Sequence, residues 1–381
     1  MDFAFTSEQL EFKDGAIRFA QKALNDDVIE RDKNAAFSRE LWKKCADFGV
    51  QSCAFPEQYG GNNADILSTM LLMEGLGYAC KDSGLIFAIN GQMWTVQMPI
   101  LRFGTEAQKS KYLPKLCSGE WIGAHGMTEP DSGSDAFSLR TTAKLEGDHY
   151  ILNGTKTFST CASVADVFIV FATVDKRKGF MGVTAFIVEK DFQGFSVTQD
   201  ISKMGLRTAP FAELILEDCI VPAENRLGKE GNGAAIFEDA TEWERSCILA
   251  SLVGAMERQL ERCIKFARER KQFGKPIGKY QSIANKIVDM KVRMETARLI
   301  LYKLAWKKKG NNKATMDAAI VKLYISECWV KSCLDAIQIH GGYGYTTEFE
   351  FERDLRDSVG STIYSGTSEI QKNIIARYLG L

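Results

Sequence analysis

A carboxylate on an apolar helical face is the first sign of chemistry in this chain. In FEDATEWERSCILASLVGAMERQL, residues 237–260, apolar side chains such as Phe237 and Ile248 recur at helical spacing, and Glu244 falls in the same stripe. Burial of an unpaired carboxylate is costly and raises its proton affinity, which a general base can exploit. An ion pair with a distant Arg or Lys is the more usual fate of such a residue. Glu242, about 200° away around the helix, is predicted to be solvated.

Two polar stretches have the composition of ligand-binding loops. In HGMTEPDSGSD, residues 125–135, backbone N–H groups and hydroxyls can face one side of a loop and suit an anionic or acceptor-rich ligand. In NGTKTFST, residues 153–160, Phe158 could lie flat on a planar ring while Thr160 offers a hydroxyl at its edge. Taken alone, the first stretch fits a polar connection, and the second fits a hairpin turn at Asn153-Gly154 followed by an ordinary strand.

Three further stretches carry glycine or positive charge at helix ends. ARERKQFGKPIGKYQSI, residues 267–283, places Arg270 where it could cap a helix or hold a phosphate-bearing ligand. QIHGGYGYT, residues 338–346, contains Gly341-Gly342, which permit close backbone approach to a ligand or form a helix C-cap. WKKKGNNK, residues 306–313, could dock an acidic partner but has the pattern of a solvated helix end, so no role is assigned to it.

Composition removes several classes of protein. The formal net charge of −1 gives no overall field that favours nucleic acid or an anionic membrane. The start of the chain, MDFAFTSEQLEFKDG, lacks the basic and apolar regions of a signal peptide, and no apolar run is long enough to span a bilayer. The 10 cysteines form no CxxC pair, which is typical of reduced thiols in a cytoplasmic protein. GxGxxG, GxxxxGK[ST] and HExxH motifs are absent, so Rossmann-type dinucleotide binding and most phosphate-transfer and zinc chemistry are disfavoured, and no metal site is predicted.

The predicted secondary structure of the chain changes twice. Residues 1–121 are predicted to form an N-terminal helical domain, residues 122–232 a middle β domain with short strands rich in Val, Ile and Phe, and residues 233–381 a C-terminal helical bundle. The order is α, then β, then α, without βαβ alternation, so the predicted fold class is α+β and multidomain.

Taken together and in order, these stretches resemble the acyl-CoA dehydrogenase family over essentially the whole length. The motifs that carry the resemblance are MTEPDSGSD, KTFST, KMGLRTAPFAELILEDCIVP, RKQFGKPIGKYQ, QIHGGYGY and GTSEIQ. The resemblance implies an N-terminal helical domain, a middle β-barrel-like domain and a C-terminal four-helix bundle, in a homotetramer whose FAD sites are completed by a neighbouring subunit. It also implies FAD contacts, which fall at Met127, Thr128, Ser134, Phe158, Ser159, Thr160, Arg270, Phe273, Gln281, Gln338, Gly341, Gly342, Thr367 and Glu369.

The family reaction, as the resemblance implies, removes an α-proton and a β-hydride from an acyl thioester. The terminal loop IYSGTSEIQ, residues 363–371, carries Ser365 where the family often has its catalytic glutamate, while a minority of the family places its base on a helix just before an arginine. Glu244-Arg245 matches that minority, so Glu244 is the expected base. The backbone N–H of Ser365 would hold the thioester carbonyl as charge develops on it. Further substrate contacts are expected at Ser134, Arg245 and Tyr364.

Within the family, the combination of EWERSCILASLVGAMERQLER with RDSVGSTIYSGTSEIQ most resembles the branch that oxidises L-proline tethered to a carrier protein for natural-product biosynthesis. The expected product is a dehydroprolyl or pyrroline thioester, or a pyrrolyl thioester after a further round of oxidation. The sequence leaves both a two-electron and a four-electron oxidation open. Oxygen and an electron-transfer protein both stay open as the final electron acceptor. The expected partners are a carrier protein with a phosphopantetheine arm and further copies of the chain, with no nucleic acid and no membrane. Two other interpretations are a short- or branched-chain acyl-CoA dehydrogenase and a non-catalytic flavin-binding interaction protein.

Overall fold

The computed structural model describes residues 4–309 and 312–381. Residues 1–3 of the opening stretch and residues 310–311 of the lysine-rich stretch lie outside this part. Among the described helices, none is both long and apolar enough to cross a membrane.

The N-terminal part is helical. Its helices are α1 (Ser7–Ala23), α2 (Val28–Lys33), α3 (Arg39–Phe48), α4 (Ile66–Ala79), α5 (Ser83–Gln92), α6 (Met98–Phe103) and α7 (Glu106–Cys117), with a π-helical turn over Met93–Gln97 between α5 and α6. The ends of helix α3 are set by capping residues in the local sequence. The Ser38 side chain accepts a hydrogen bond from the backbone N–H of Leu41, and Gly49 ends the helix with a φ of 95° that favours glycine.

The middle part is a mixed sheet. Its strands are β1 (Gly123–Gly126), β2 (Thr142–Glu146), β3 (His149–Thr160), β4 (Val167–Thr173), β5 (Val183–Glu189), β6 (Phe195–Val197), β7 (Phe211–Pro222) and β8 (Arg226–Leu227). They pair in the order β6-β7-β3-β2-β4-β5-β8, and β1 runs parallel to β4. Every side chain of β4 is buried, because both faces of that strand are covered.

One local prediction about the sheet is wrong. Asn153-Gly154 does not form a hairpin turn, since both residues lie within β3 at a register irregularity opposite β7. The Asn153 side chain bonds to Asp218 on the neighbouring strand, and Gly154 lies so close to Thr141 that a Cβ atom would meet its Oγ1 at 2.4 Å. Tertiary pairing therefore overrides the local turn signal.

The C-terminal part is again helical. It contains α8 (Gly233–Cys247), α9 (Ala250–Glu269), the short hairpin β9 (Lys271–Gln272) and β10 (Lys275–Pro276), α10 (Gln281–Lys308), α11 (Thr315–His340), α12 (Phe351–Ser361) and α13 (Ser368–Tyr378). The stretch 237–260 is therefore two helices, with Ile248 and Leu249 as a turn between them. The predicted α+β class is confirmed by this α–β–α order of elements.

Two glycines let the first and last parts of the chain touch backbone to backbone. Helix α4 packs on α9, and a Cβ atom on Gly77 would lie 1.9 Å from the Ser251 carbonyl oxygen. A Cβ atom on Gly254 would lie equally close, at 1.9 Å, to the Glu74 carbonyl oxygen. This contact holds α9 against the N-terminal helices and so anchors the end of α8 that carries Glu244.

Candidate active site

A cavity of about 1360 Å³ lies where the sheet, α5, α8 and the α12–α13 loop meet. Its volume exceeds the roughly 300–1,000 Å³ of a typical small-ligand pocket, so it has room for two ligands side by side. Glu244, Arg245, Tyr364 and Ser365 all line it, although about 120 residues of chain separate the two pairs. The structure therefore brings the expected base and the terminal loop together.

Glu244 is a half-buried residue that lines this cavity. Burial raises the pKa of the Glu244 carboxyl above its ordinary value, and the Ser365 hydroxyl, Arg245 and Lys322 oppose the increase only partly. The Ser365 hydroxyl lowers the pKa of the Glu244 carboxyl. The Ser365 Oγ atom is nevertheless buried and makes no hydrogen bond of ordinary geometry within the described chain. A carboxyl with these properties can take a proton from a ligand in the cavity.

The Ser365 backbone is held in a strained conformation. Its φ is 56°, in the left-handed region that non-glycine residues seldom adopt. Arg245 Nε donates to the Ser365 carbonyl at 2.8 Å, and Gln371 Nε2 donates to the same oxygen at 3.0 Å. Among the described residues, no acceptor takes the Ser365 N–H. The clamp on the carbonyl thus leaves an unbonded donor at the cavity.

Arg245 contacts the protein's own loop in addition to lining the cavity. The Arg245 side chain is buried, and burial lowers the pKa of its guanidinium while Glu244 and Glu242 raise it. A planar guanidinium can hold a carbonyl oxygen in a fixed direction. Positioning of Ser365 is therefore visible in the structure, whereas the expected contact of Arg245 with substrate stays a prediction.

The prediction that Glu242 is solvated is wrong. Its carboxylate is buried, pairs with Lys308 Nζ at 2.7 Å, and accepts from Ala314 N at 3.1 Å and from the Thr315 hydroxyl. Burial alone would raise the pKa of Glu242, but these partners hold it below the ordinary value. Glu242 is thus a paired structural acid, in contrast to Glu244.

The lysine-rich stretch 306–313 is only partly a solvated helix end. Lys308 is buried and ion-paired, and Lys307 pairs with Asp317. Lys308, Asn312 and Lys313 line the cavity that contains Glu244. The sequence pattern could not show this, because the pairing acids lie on α8 and α11.

Lys322 is a charged neighbour of the site that the sequence did not indicate. Its side chain is fully buried on α11, and its Nζ has no hydrogen-bond partner in the described part of the chain. Burial, reinforced by Arg245, lowers the pKa of Lys322 to about 8, whereas Glu244 acts in the opposite direction. A lysine in a helical pattern gives no local signal of such a position.

A buried ion pair fixes the first ligand-binding stretch. Lys156 Nζ bonds to Glu129 at 2.7 Å and to the Met127 carbonyl at 3.2 Å, and Glu129 also accepts from Thr141 N at 2.9 Å. Burial lowers the pKa of Lys156 to about 8, although Glu129 raises it. The pair therefore holds Met127 and Thr128 at the cavity wall, where Ser134 also lies.

The second stretch places an aromatic ring beside them. Phe158 has a φ of 61°, is 57% exposed, and stacks on Phe211 with ring centroids 5.4 Å apart. Phe158 and Thr160 line the cavity, whereas Ser159 is buried behind them, and its hydroxyl has no hydrogen-bond partner among the described residues. Thr367 lines the cavity and caps α13, while the Glu369 side chain is exposed outside it.

The remaining expected cofactor residues form a separate exposed group. This group, called here the distal group, lies outside the cavity lining and consists of Arg270, Phe273, Gln281, Gln338, Gly341 and Gly342. Phe273 is 94% exposed with a φ of 50°, and the Arg270 guanidinium lies 5.6 Å from the Tyr343 ring centroid. The structure thus divides the expected contacts into two sets.

Helix α5 supplies cavity residues that the sequence reasoning missed. Phe87, Ala88, Gly91, Gln92 and Thr95 come from α5 and the turn after it. No local pattern separates them, because the helix is apolar nearly all round. Their position shows that α5 forms one wall of the cavity that holds Glu244.

Within the described residues, the arrangement combines a carboxyl of raised pKa, an unbonded N–H donor and an exposed aromatic ring, as expected for proton abstraction beside a planar cofactor. The acyl-CoA dehydrogenase N-terminal domain matches residues 6–120, the middle domain residues 124–219, and the C-terminal domain residues 231–380. The chain therefore belongs to the acyl-CoA dehydrogenase family, as its motifs predicted.

Individual relatives show which branch of the family this chain is similar to. An L-prolyl-[peptidyl-carrier protein] dehydrogenase of Serratia sp. is 42% identical over 381 residues, covering 100% of this chain and 99% of the relative. The crystal structure of the prolyl acyl carrier protein oxidase AnaB is 54% identical with a TM-score of 0.98, covering 99% of this chain and 100% of that chain. The structure of PigA with FAD and proline is 42% identical with a TM-score of 0.98 and full coverage, 100%, of both chains. The expected resemblance to the prolyl branch is confirmed.

Proposed function

We propose that this protein is an FAD-dependent oxidoreductase that removes hydrogen from L-proline held as a thioester on a carrier protein. The observation that carries the proposal is the meeting of the Glu244 carboxyl and the unbonded Ser365 N–H in one cavity. The similarity to proteins named for prolyl-carrier oxidation supports the substrate class over an acyl-CoA.

The cavity wall made by the 125–135 and 153–160 stretches fits a flavin. Phe158 offers an exposed ring for stacking, and the hydroxyls of Thr128 and Thr160 lie along the same wall. Met127, Ser134 and Thr367 would hold the same group from the cavity side, with Ser159 behind them. When bound, FAD supplies the hydride acceptor for the β-hydrogen.

Glu244 and Ser365 divide the work of enolisation. The Ser365 N–H binds the thioester carbonyl and stabilises the negative charge that develops on its oxygen. Glu244 then removes the α-hydrogen as a proton, and its raised pKa matches it better to a weakly acidic carbon. Arg245 and Gln371 keep the donor aimed by holding the Ser365 carbonyl. Tyr364, whose ring packs 4.7 Å from Phe87, would close the substrate end of the cavity.

The distal group supports a homo-oligomer, which we take to be a tetramer. Phe273 is an almost fully exposed aromatic side chain beside Arg270 and Gly341-Gly342. Such a side chain is suited to packing against the surface of another molecule. These residues, with Gln281 and Gln338, would contact the cofactor of a neighbouring copy, and Glu369 would lie near its adenine end. The ten free, buried cysteines fit a reducing compartment, which supports a cytoplasmic protein.

The test is mass spectrometry of a prolyl-loaded carrier protein before and after incubation with the FAD-loaded protein. We expect a loss of two hydrogens per round of oxidation, and a loss at least about 10²-fold slower with the Glu244→Gln variant. Isovaleryl-CoA is the competing substrate in the same assay. Faster oxidation of isovaleryl-CoA, with the prolyl thioester unchanged, would refute the proposed substrate class.

A further inference from the structure

The Ser365 hydroxyl lies beside the Glu244 carboxyl, and its acceptor lone pairs have no donor within the described chain. Its Oγ is buried and has no hydrogen-bond partner of ordinary geometry in the described chain. Two other polar side chains of the cavity are already engaged. Thr95 donates to the Gly91 carbonyl at 2.7 Å, and Gln92 accepts from Gly123 N at 2.8 Å while donating to the Leu116 carbonyl at 3.1 Å.

A buried hydroxyl whose acceptor lone pairs have no donor costs free energy unless a ligand satisfies them. Ser365 is also held in a left-handed conformation by the bonds to its carbonyl, so its side chain has a defined direction. The hydroxyl offers one donor and two acceptor lone pairs. With its proton directed to the Glu244 carboxylate, it still has lone pairs that can accept a hydrogen bond from a ligand.

The substrate class carries one polar group that an ordinary acyl chain lacks. In a prolyl thioester the ring nitrogen is bonded to the α-carbon. A base that reaches the α-hydrogen therefore lies close to the ring N–H. The nearby rings of Phe87 and Tyr364 form an apolar contact at 4.7 Å. An unpaired N–H beside them would be penalised.

We propose that the Ser365 hydroxyl is the specificity-determining contact for the ring nitrogen of the substrate. This inference rests on the proposed function. The ring N–H donates to a lone pair of Ser365 Oγ, whose own proton points to the Glu244 carboxylate. The Ser365 backbone N–H binds the thioester carbonyl at the same time, which gives two contacts from one residue on either side of the α-carbon.

The experiment compares two thioesters on the same carrier protein, prolyl and cyclopentanecarbonyl, which differ in the ring N–H. Anaerobic flavin reduction is measured for wild type, Ser365→Ala and Ser365→Gly. Both variants remove the hydroxyl, and the glycine variant also relieves the strained φ. Flavin content and thermal unfolding establish that each variant is folded.

We expect the loss of the hydroxyl to lower the rate constant of flavin reduction about tenfold more for the prolyl thioester than for the cyclopentanecarbonyl thioester. Equal losses on both thioesters, or no loss on either, would overturn the inference while leaving the proposed function in place. No oxidation of the prolyl thioester by wild type would instead refute the proposed function, and this inference with it.

Discussion

Replacement of Glu244 by Gln is the strongest test of the site, because it removes the proposed base and nearly preserves the shape of the side chain. A general base contributes about 10²- to 10⁴-fold to a rate, which corresponds to about 3–5 kcal/mol of barrier. Ser365 stands where the family often has its catalytic glutamate, and the carboxyl of Glu369 in the same stretch is exposed outside the cavity. We therefore expect Glu244→Gln to slow flavin reduction by at least about 10²-fold.

The pH dependence follows from the environment of the carboxyl. Burial raises the pKa of Glu244, so the ionised base is lost as pH falls through that raised value. Wild type should lose flavin reduction on that acidic limb, and the residual rate of Glu244→Gln should lack the limb. The same pKa shift makes the free energy of unfolding depend on pH, because the folded state binds a proton on Glu244 more tightly than the unfolded chain does. Above the raised pKa, burying the charge costs free energy, so the variant should be at least as stable as wild type at neutral pH.

The assay is anaerobic stopped-flow reduction of the bound flavin by a prolyl-loaded carrier protein, and Glu242→Gln is the matched control two residues away. Because Glu242 pairs with buried Lys308, its replacement should lower stability by about 3 kcal/mol while flavin reduction persists. Reduction by Glu244→Gln within about tenfold of wild type, at equal flavin content, would refute the assignment of the base.

Three other expectations follow from single residues. Lys322→Met should stabilise the protein by up to about 3 kcal/mol at pH 7, because the pKa of Lys322 falls from 10.5 to about 8 on folding. The unfolded lysine binds the proton more tightly, so this advantage should shrink as pH rises from 8 toward 10.5 in denaturation experiments; a less stable variant at pH 7 would contradict it. Arg245→Lys should keep the charge but lose the planar contact with the Ser365 carbonyl, lowering kcat about tenfold with little change in the pH profile; an unchanged kcat would show that the clamp is dispensable. Gly254→Ala should lower the free energy of unfolding by more than about 1 kcal/mol, because its Cβ would lie 1.9 Å from the Glu74 carbonyl oxygen, and an unchanged melting temperature would contradict the close helix contact.

Local sequence was enough for features that depend on neighbours along the chain. The Ser38 cap and Gly49 terminator of α3, the strand-rich middle zone and the apolar stripe containing Glu244 all follow from helical or strand periodicity and capping chemistry. Recognition of the family depended on several short motifs in one order, and the domain matches confirm it. Periodicity also showed that Glu244 was unusual, although the role of a base came from the resemblance.

Only the tertiary structure decided which distant groups meet. Helical periodicity assigns a residue to a face of its own helix but cannot show what packs against that face, so Glu242 seemed solvated although Lys308 and the start of α11 bury it. The bond from Arg245 to the Ser365 carbonyl joins residues 120 positions apart, and the unpaired Lys322 lies near Glu244 only because α11 packs beneath α8. Such contacts depend on the packing of whole elements, where burial and charge are set by partners remote in sequence.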